Sequence, residues 1–235
     1  MEVKVLTILE DILGANAEKA RRNQGRLDKY NILAVNVMSS PGAGKTSLIL
    51  QTISRLKQKA RITVIEGDVA SAIDAENIKK QGVAVIQINI PGGCHLDANM
   101  IENALNNLPL GDIDLLLIEN VGNLICPAEF ALGEHKRVML LSLPEGDDKP
   151  YKYPLMFTEA DVVLINKIDL LPYMEFNIPA FHKAVTGLNP KAKILPVSCK
   201  TSEGLEDWFS WLLDGIGEMK KGGKLHIKTE AKNGT

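Results

Sequence analysis

The residues with the clearest chemistry form a glycine-rich run, SSPGAGKTS, at positions 39–47. An apolar stretch leads into it and the amphipathic pattern SLILQTISRLKQ leaves it, which is the strand, loop and helix order of a phosphate-binding loop. Gly42, Ala43 and Gly44 let backbone N–H groups turn inward around phosphate oxygens, at a helix start whose dipole favours anions. Lys45 would reach the β- and γ-phosphates, the Thr46 hydroxyl would bind Mg²⁺, and Ser47 completes the cradle. The usual pattern opens with glycine, whereas this loop opens with Ser39, a small residue that fits if its φ stays negative. A dinucleotide fingerprint is excluded because no third glycine follows Gly44 at the required spacing.

A second constellation is NKID, residues 166–169, at the end of the apolar run DVVLI. The Asp169 carboxylate only accepts, so it matches the two donors on the Watson–Crick edge of guanine, and adenine offers no such pair. Asn166 would brace the loop and the Lys167 stem would lie on the base. A later loop, Ser198, Cys199 and Lys200 in SCKT, would bring backbone N–H groups to the base carbonyl, with the Cys199 thiol behind that loop. Carboxylates for magnesium and the γ-phosphate are expected at strand ends, in EGD (66–68) and ENVG (119–122). Glu119 and Gly122 occupy the places of the aspartate and glycine of a D-x-x-G switch, and Asp68 is the candidate for positioning the metal or the attacking water. Together Lys45 and Asp68 are the expected catalytic pair. Asn123 stands where many GTPases keep a water-orienting glutamine, so slow intrinsic turnover is expected, as in a switch.

The third feature is PGGCHLDANM, residues 91–100. Adjacent side chains on a strand face opposite ways, so Cys94 and His95 could share a metal only on irregular backbone, which Pro91, Gly92 and Gly93 supply. From spacing alone, one Cys–His pair and a distant Cys126 fit either a metal site or small buried side chains. His135, in GEHKR, reads as a surface histidine or at most a neighbour of a ligand.

These residues need a scaffold, and the chain supplies one. Its 235 residues suffice for one sizeable domain. Seven short apolar runs (ILAVNVM, RITVIE, AVIQINI, DLLLIE, RVMLLSL, DVVLIN and AKILPVS) alternate with longer amphipathic segments. That alternation predicts a three-layer α/β fold of the P-loop NTPase type, a mainly parallel sheet with helices on both faces. Residues 1–31 read as an N-terminal helical region whose apolar stripe, Val5, Ile8, Leu9, Ile12 and Leu13, packs on the domain. Residues 32–218 form the nucleotide domain, and 219–235 a basic tail expected to be mobile. A net charge of −2 points to neither nucleic acid nor membrane. No apolar run would span a bilayer, and MEVKVLTILED turns acidic too early for a secretory signal, so a cytoplasmic location is expected. Three cysteines without an export signal argue for reduced thiols.

SSPGAGKT, EGD, GCHLDANM, ENVGNLICPAEFALGEHKR, EGDDKPYKYP and LINKIDLLP, in this order over roughly residues 35–205, resemble the hydrogenase nickel-incorporation accessory GTPases. The resemblance implies a GTP-dependent homodimer that supports nickel insertion and holds nickel or zinc at Cys94, His95 and Cys126. It further implies two partners, a small zinc-containing nickel chaperone and the hydrogenase large-subunit precursor. Many members carry a cysteine-rich N-terminal nickel motif, but no cysteine precedes Cys94 here, so that site is not expected. The urease accessory GTPases share the ENVGNL block but typically carry Cys-Pro-His at the metal loop, unlike the adjacent Cys94 and His95. A GTP-switched interaction module without metal is the alternative from another class.

Overall fold

The computed structural model of the chain describes residues 8–68 and 73–222. All seven apolar runs become strands: β1 (Leu33–Ser39), β2 (Ile62–Asp68), β3 (Ala84–Asn89), β4 (Leu115–Glu119), β5 (Lys136–Ser142), β6 (Val162–Asn166) and β7 (Lys193–Pro196). The helices around them are α1 (Ile8–Lys29), α2 (Lys45–Leu56), α3 (Ile73–Lys79), α4 (Ala98–Asn106), α5 (Cys126–Glu129), α6 (Lys149–Lys152), α7 (Pro154–Thr158), α8 (Ile178–Leu188) and α9 (Leu205–Lys220). They form one sheet in the order β3-β2-β4-β1-β5-β6-β7, and every neighbouring pair is parallel. The chain builds the β4, β2, β3 side first and then crosses β1 to build the other. That reversal places a crevice at the carboxyl ends of β1 and β4, where ligands bind in open α/β sheets.

β1 is buried along its whole length because both its faces are covered. Leu33, Val35 and Val37 pack with helix α2 (Lys45–Leu56) and the C-terminal helix α9 (Leu205–Lys220). Ala34 faces the other way, toward Leu116 and Ile118 of β4 and Leu27 of helix α1 (Ile8–Lys29). Met38 joins a third cluster with Met139, Phe157 and Phe181. Helix α2 buries Leu48, Ile49, Thr52, Ile53 and Leu56, a stripe at helical spacing. Full burial of each such aliphatic side chain contributes about 1.5–3 kcal/mol, so the phosphate loop stands on a packed base.

Helix α1 docks differently from the expectation. Ile12 of the predicted apolar stripe is 49% exposed and Leu13 half-buried, while Val5 and the side chains of Ile8 and Leu9 lie outside what the structure describes. The seam lies further along, where Ala20 and Leu27 are buried and polar side chains are interleaved with them. Asn16 donates to Ala131 O (2.8 Å) and accepts from the Ala98 N–H (2.8 Å), and Asn23 donates to Ala98 O (2.8 Å) and Leu132 O (3.0 Å). The physical reason is what α1 meets. The start of helix α4 (Ala98–Asn106) and the loop before β5 present unpaired backbone groups, and amides can satisfy them where an apolar stripe could not. Gly133, at φ +99, lets that loop approach; a Cβ there would sit 2.6 Å from the Cβ of Asn23.

His135 is likewise not at the surface. Its side chain is fully buried under α1, where Nδ1 accepts from the Ala34 N–H (3.0 Å) and Nε2 pairs with Asp28 (3.1 Å). Burial pushes its pKa below the ordinary 6.5, although Asp28 opposes the shift. The unfolded chain therefore binds a proton below that pH which the folded chain refuses, so stability falls as pH drops through 6.5. We expect the thermal midpoint of the wild type to fall more between about pH 7.5 and about pH 5.5 than that of His135→Gln. Parallel loss in both, followed by calorimetry, would contradict this reading. The basic tail beyond residue 222 lies outside the described residues, and α9 runs to Lys220, past the expected boundary at 218.

Candidate functional site

The phosphate loop leaves the carboxyl end of β1 and enters α2 directly. Gly42 and Gly44 have φ of 76° and 107°, conformations that favour glycine. At Gly44 the constraint is double, because a Cβ would also lie 2.5 Å from Asn166 Nδ2. Ser39 takes the place of the usual first glycine without positive φ. Its hydroxyl accepts from Lys45 Nζ at 3.0 Å, so the lysine is held inside the loop. Burial lowers the Lys45 pKa, and Glu119 is the strongest of the neighbouring carboxylates that oppose the shift.

The loop forms one wall of a cleft of about 540 Å³, and the opposite wall is carboxylate-rich. Thr46 donates its hydroxyl to Glu119 Oε1 at 2.8 Å. Glu66 is the register partner of Glu119 across β2 and β4. Burial pushes the Glu66 pKa up to about 8, helped by the nearby Glu119 and Asp68, and pushes that of Glu119 up to about 7. Oε2 of Glu66 and Oε2 of Glu119 are both buried without a hydrogen-bond partner. Two orphaned carboxylate oxygens beside a hydroxyl are the donor set of a divalent hard cation, so the residues present fit Mg²⁺. Asp68 ends β2 and lines the same cleft, together with Asp74. Glu66 is the member that sequence pattern alone does not single out. The available signal is its position two residues before Asp68 on one strand, which puts both on one face.

The three segments expected to hold the base also meet. Asn166 donates to Ala43 O (2.8 Å) and accepts from the Cys199 N–H (3.1 Å), tying the phosphate loop to the SCKT loop. Lys167, at φ 64°, lays its stem across the loop and donates to Gly42 O (2.8 Å). Asp169 Oδ1 accepts from the Ser198 hydroxyl (2.7 Å), whose oxygen in turn accepts from the N–H of Lys200 (3.3 Å) and of Thr201 (3.1 Å). The Cys199 thiol is buried in the core, and burial raises its pKa to about 11, so it serves through its backbone.

Cys94, His95 and Cys126 also converge. Pro91 and Gly92 occupy the corners of a turn closed by Gly93 N–H to Ile90 O (3.0 Å), with Gly92 at φ 74°, the geometry of a type II turn. After this turn Cys94 Sγ lies 3.3 Å from His95 Nδ1 and 3.2 Å from Cys126 Sγ. One ligand atom from each of the three falls within 4.8 Å of the others. Cys126 opens the short helix α5 (Cys126–Glu129). The His95 ring packs against Phe130 at a tilt of 33° with centroids 4.0 Å apart, and burial holds its pKa low, which favours the neutral imidazole a metal requires. Asn123 does not occupy the role of a water-orienting residue. It donates to Cys94 O (3.2 Å) and accepts from the Ile125 N–H (3.0 Å), clasping the two ligand loops together. Gly122 packs against Pro41 of the phosphate loop, where a Cβ would come within 2.9 Å.

Fold and site together define a P-loop GTPase with a cysteine–histidine cluster beside its nucleotide cleft. The chain belongs to the CobW/HypB/UreG family, whose nucleotide-binding domain matches residues 33–196. It is 45% identical over 209 residues to the hydrogenase maturation factor HypB of Escherichia coli (strain K12), covering 89% of this chain and 72% of that one. It is 43% identical over 218 residues to the probable hydrogenase maturation factor HypB of Methanocaldococcus jannaschii, covering 93% and 99%. Among solved structures, HypB from Helicobacter pylori in complex with nickel superposes with a TM-score of 0.84 at 37% identity, covering 92% of this chain and 99% of that one. Among the described residues no helix is long and apolar enough to cross a membrane.

Proposed function

We propose that this protein binds and hydrolyses GTP to support nickel insertion into a hydrogenase precursor, with nickel carried as cargo at Cys94, His95 and Cys126. The observation that carries this reading is the convergence of those three side chains, with Cys126 on the loop that follows Gly122, four residues before it. Glu119 ends β4 and Gly122 follows it, at the place expected to sense the γ-phosphate, so the nucleotide site and one ligand of the set, Cys126, share one segment. The relatives named above as hydrogenase maturation factors, and the nickel-bound neighbour, support the choice of cargo. Zinc suits the same thiolates and imidazole.

In this reading Gly42, Ala43, Gly44 and Ser47 cradle the phosphates, and Lys45 stabilises charge on the β- and γ-oxygens. Thr46, Asp68 and Glu119, with Glu66 beside them, would hold Mg²⁺, which would supply neutralisation of the phosphates. Asp169 accepts from guanine, Asn166 and Lys167 hold the base loop to the phosphate loop, and Ser198, Cys199 and Lys200 frame the base. Asp68 orients the attacking water. Among the described residues one chain brings three such ligands together, fewer than the four of a closed tetrahedral site. A two-fold dimer brings identical loops together and supplies the remainder. Nickel delivery of this kind calls for a second copy of the chain, a small zinc-containing nickel chaperone as donor and the hydrogenase large-subunit precursor as acceptor, all in the cytoplasm.

Lys45→Ala and Thr46→Ala should each cut GTP turnover on the order of 10²–10³-fold, the usual cost of removing one group aimed at transition-state charge. Circular dichroism should stay unchanged, because neither side chain supports the core. Unchanged kcat in either variant would count against the assignment. The reading as a whole is tested by nucleotide competition and nickel equilibrium dialysis on the pure protein. ATP competing as well as GTP would end the guanine assignment, and failure to retain nickel would end the metal assignment.

A further inference from the structure

Both ligand loops hang from one buried polar network, and one end of that network lines the nucleotide cleft. Asn120 follows Glu119, is fully buried and lines the cleft. Its Oδ1 accepts from the Val121 N–H (2.9 Å) and from the N–H of Leu96 (3.1 Å), the residue after His95. The Leu96 side chain closes on the strand end from the other direction, since a Cβ at Gly67, also on the cleft, would lie 2.8 Å from it. Asn120 Nδ2 donates to Asn36 Oδ1 (3.2 Å), and Asn36 Nδ2 donates to Glu134 Oε1 (3.4 Å). Glu134 Oε1 also accepts from Arg137 Nε (2.7 Å), whose Nη1 donates to Ala128 O (3.1 Å) in α5, the helix that Cys126 opens. Asn36, Asn120, Glu134 and Arg137 are all buried. A group pulled away from its neighbour here finds no water, and an unsatisfied buried donor or acceptor costs about 1–3 kcal/mol, so the members move together.

We propose that Asn120 is the positioning residue through which the nucleotide cleft sets the spacing of the Cys94, His95 and Cys126 ligands. It acts on one ligand loop directly, through the Leu96 amide, and on the other through Asn36, Glu134 and Arg137. It touches neither cargo nor phosphate chemistry. The inference rests on the nickel reading of that trio and adds the residues that couple it to nucleotide. Spatial continuity becomes coupling only when both sites bias one element, which a ratio of affinities measures.

The test uses the full chain and nickel itself, titrated with Mg²⁺ and either GDP or a non-hydrolysable GTP analogue. In the wild type the two nickel affinities should differ by a factor within the roughly 5–150-fold range of allosteric coupling. Asn36→Leu removes the link to Glu134 without touching either site. Because the Leu96 arm stays intact, its nickel affinity ratio should fall by about 3-fold or more from the wild-type value rather than vanish, while its affinity for the GTP analogue, and for nickel in the GDP state, should stay within about 3-fold of wild type. A variant that keeps the wild-type ratio overturns the inference and leaves the nickel reading standing. A wild type that binds nickel equally in both nucleotide states does the same, and one that binds none removes both. If Asn36→Leu does not fold, amide exchange of the wild type decides. The Leu96 and Val121 amides share Asn120 as acceptor, so their protection should change together when GDP is replaced by the analogue; a change at Val121 without one at Leu96 overturns the inference.

Discussion

Replacing Asp169 with asparagine should lower the affinity for GTP by roughly 10²–10⁴-fold, since hydrogen bonds to a charged group contribute about 1.5–3 kcal/mol each and guanine offers this carboxylate two. Asparagine puts an amide donor where the base also donates. Xanthine carries an acceptor in place of the amino group, so xanthosine triphosphate should become the preferred nucleotide. The fold should survive the change. The contact that Asp169 makes within the protein is the acceptance of the Ser198 hydroxyl by Oδ1, and an asparagine Oδ1 can accept it equally. Competition between the two nucleotides reads the outcome directly, and undiminished GTP preference in the variant would sink the guanine assignment.

The second large effect concerns the metal ligands. Cys94→Ala, His95→Ala and Cys126→Ala should each weaken nickel by more than the 10–100-fold typical of losing an outer partner of a ligand, because each removes one donor atom outright. GTP binding should be retained. Of the three, Cys126→Ala is the most informative, because the Cys94 and Cys126 sulfurs are 3.2 Å apart yet come from loops on different strands. If that variant bound nickel like wild type, Cys94 and His95 alone would form the site. If all three did, the cysteines would be packing residues.

The strands and the nucleotide loops are legible in the sequence because each depends on local pattern. Apolar runs bounded by turn residues define buried parallel strands, and SSPGAGKTS and NKID sit where those strands end. The turn at Pro91 and Gly92 is equally readable, and it explains how adjacent residues come to share one ligand site. What pattern does not show is what α1 meets. Its most apolar stretch leaves Ile12 exposed, and its docking relies on Asn16 and Asn23, which satisfy backbone groups far along the chain at Ala98, Ala131 and Leu132. His135 sits among polar neighbours in GEHKR, so only the position of α1 over it makes it buried. The network from Asn120 to Arg137 depends on the register of parallel strands, in which Asn36 pairs with Ile118 of β4 and Arg137 of β5. Register of that kind is a property of the assembled sheet.

In the proposed function nucleotide state governs the metal site, and nickel stoichiometry and affinity, read together with molecular mass by gel filtration and light scattering, test this most directly. The same pure sample is compared with GDP and with a non-hydrolysable GTP analogue, each with Mg²⁺. The expected result is a dimer with the analogue, nickel bound more tightly in that state, and nickel in turn stabilising the dimer, because coupling between two binding events is reciprocal. Equal nickel stoichiometry and affinity in the two nucleotide states, with no change in mass, would contradict it.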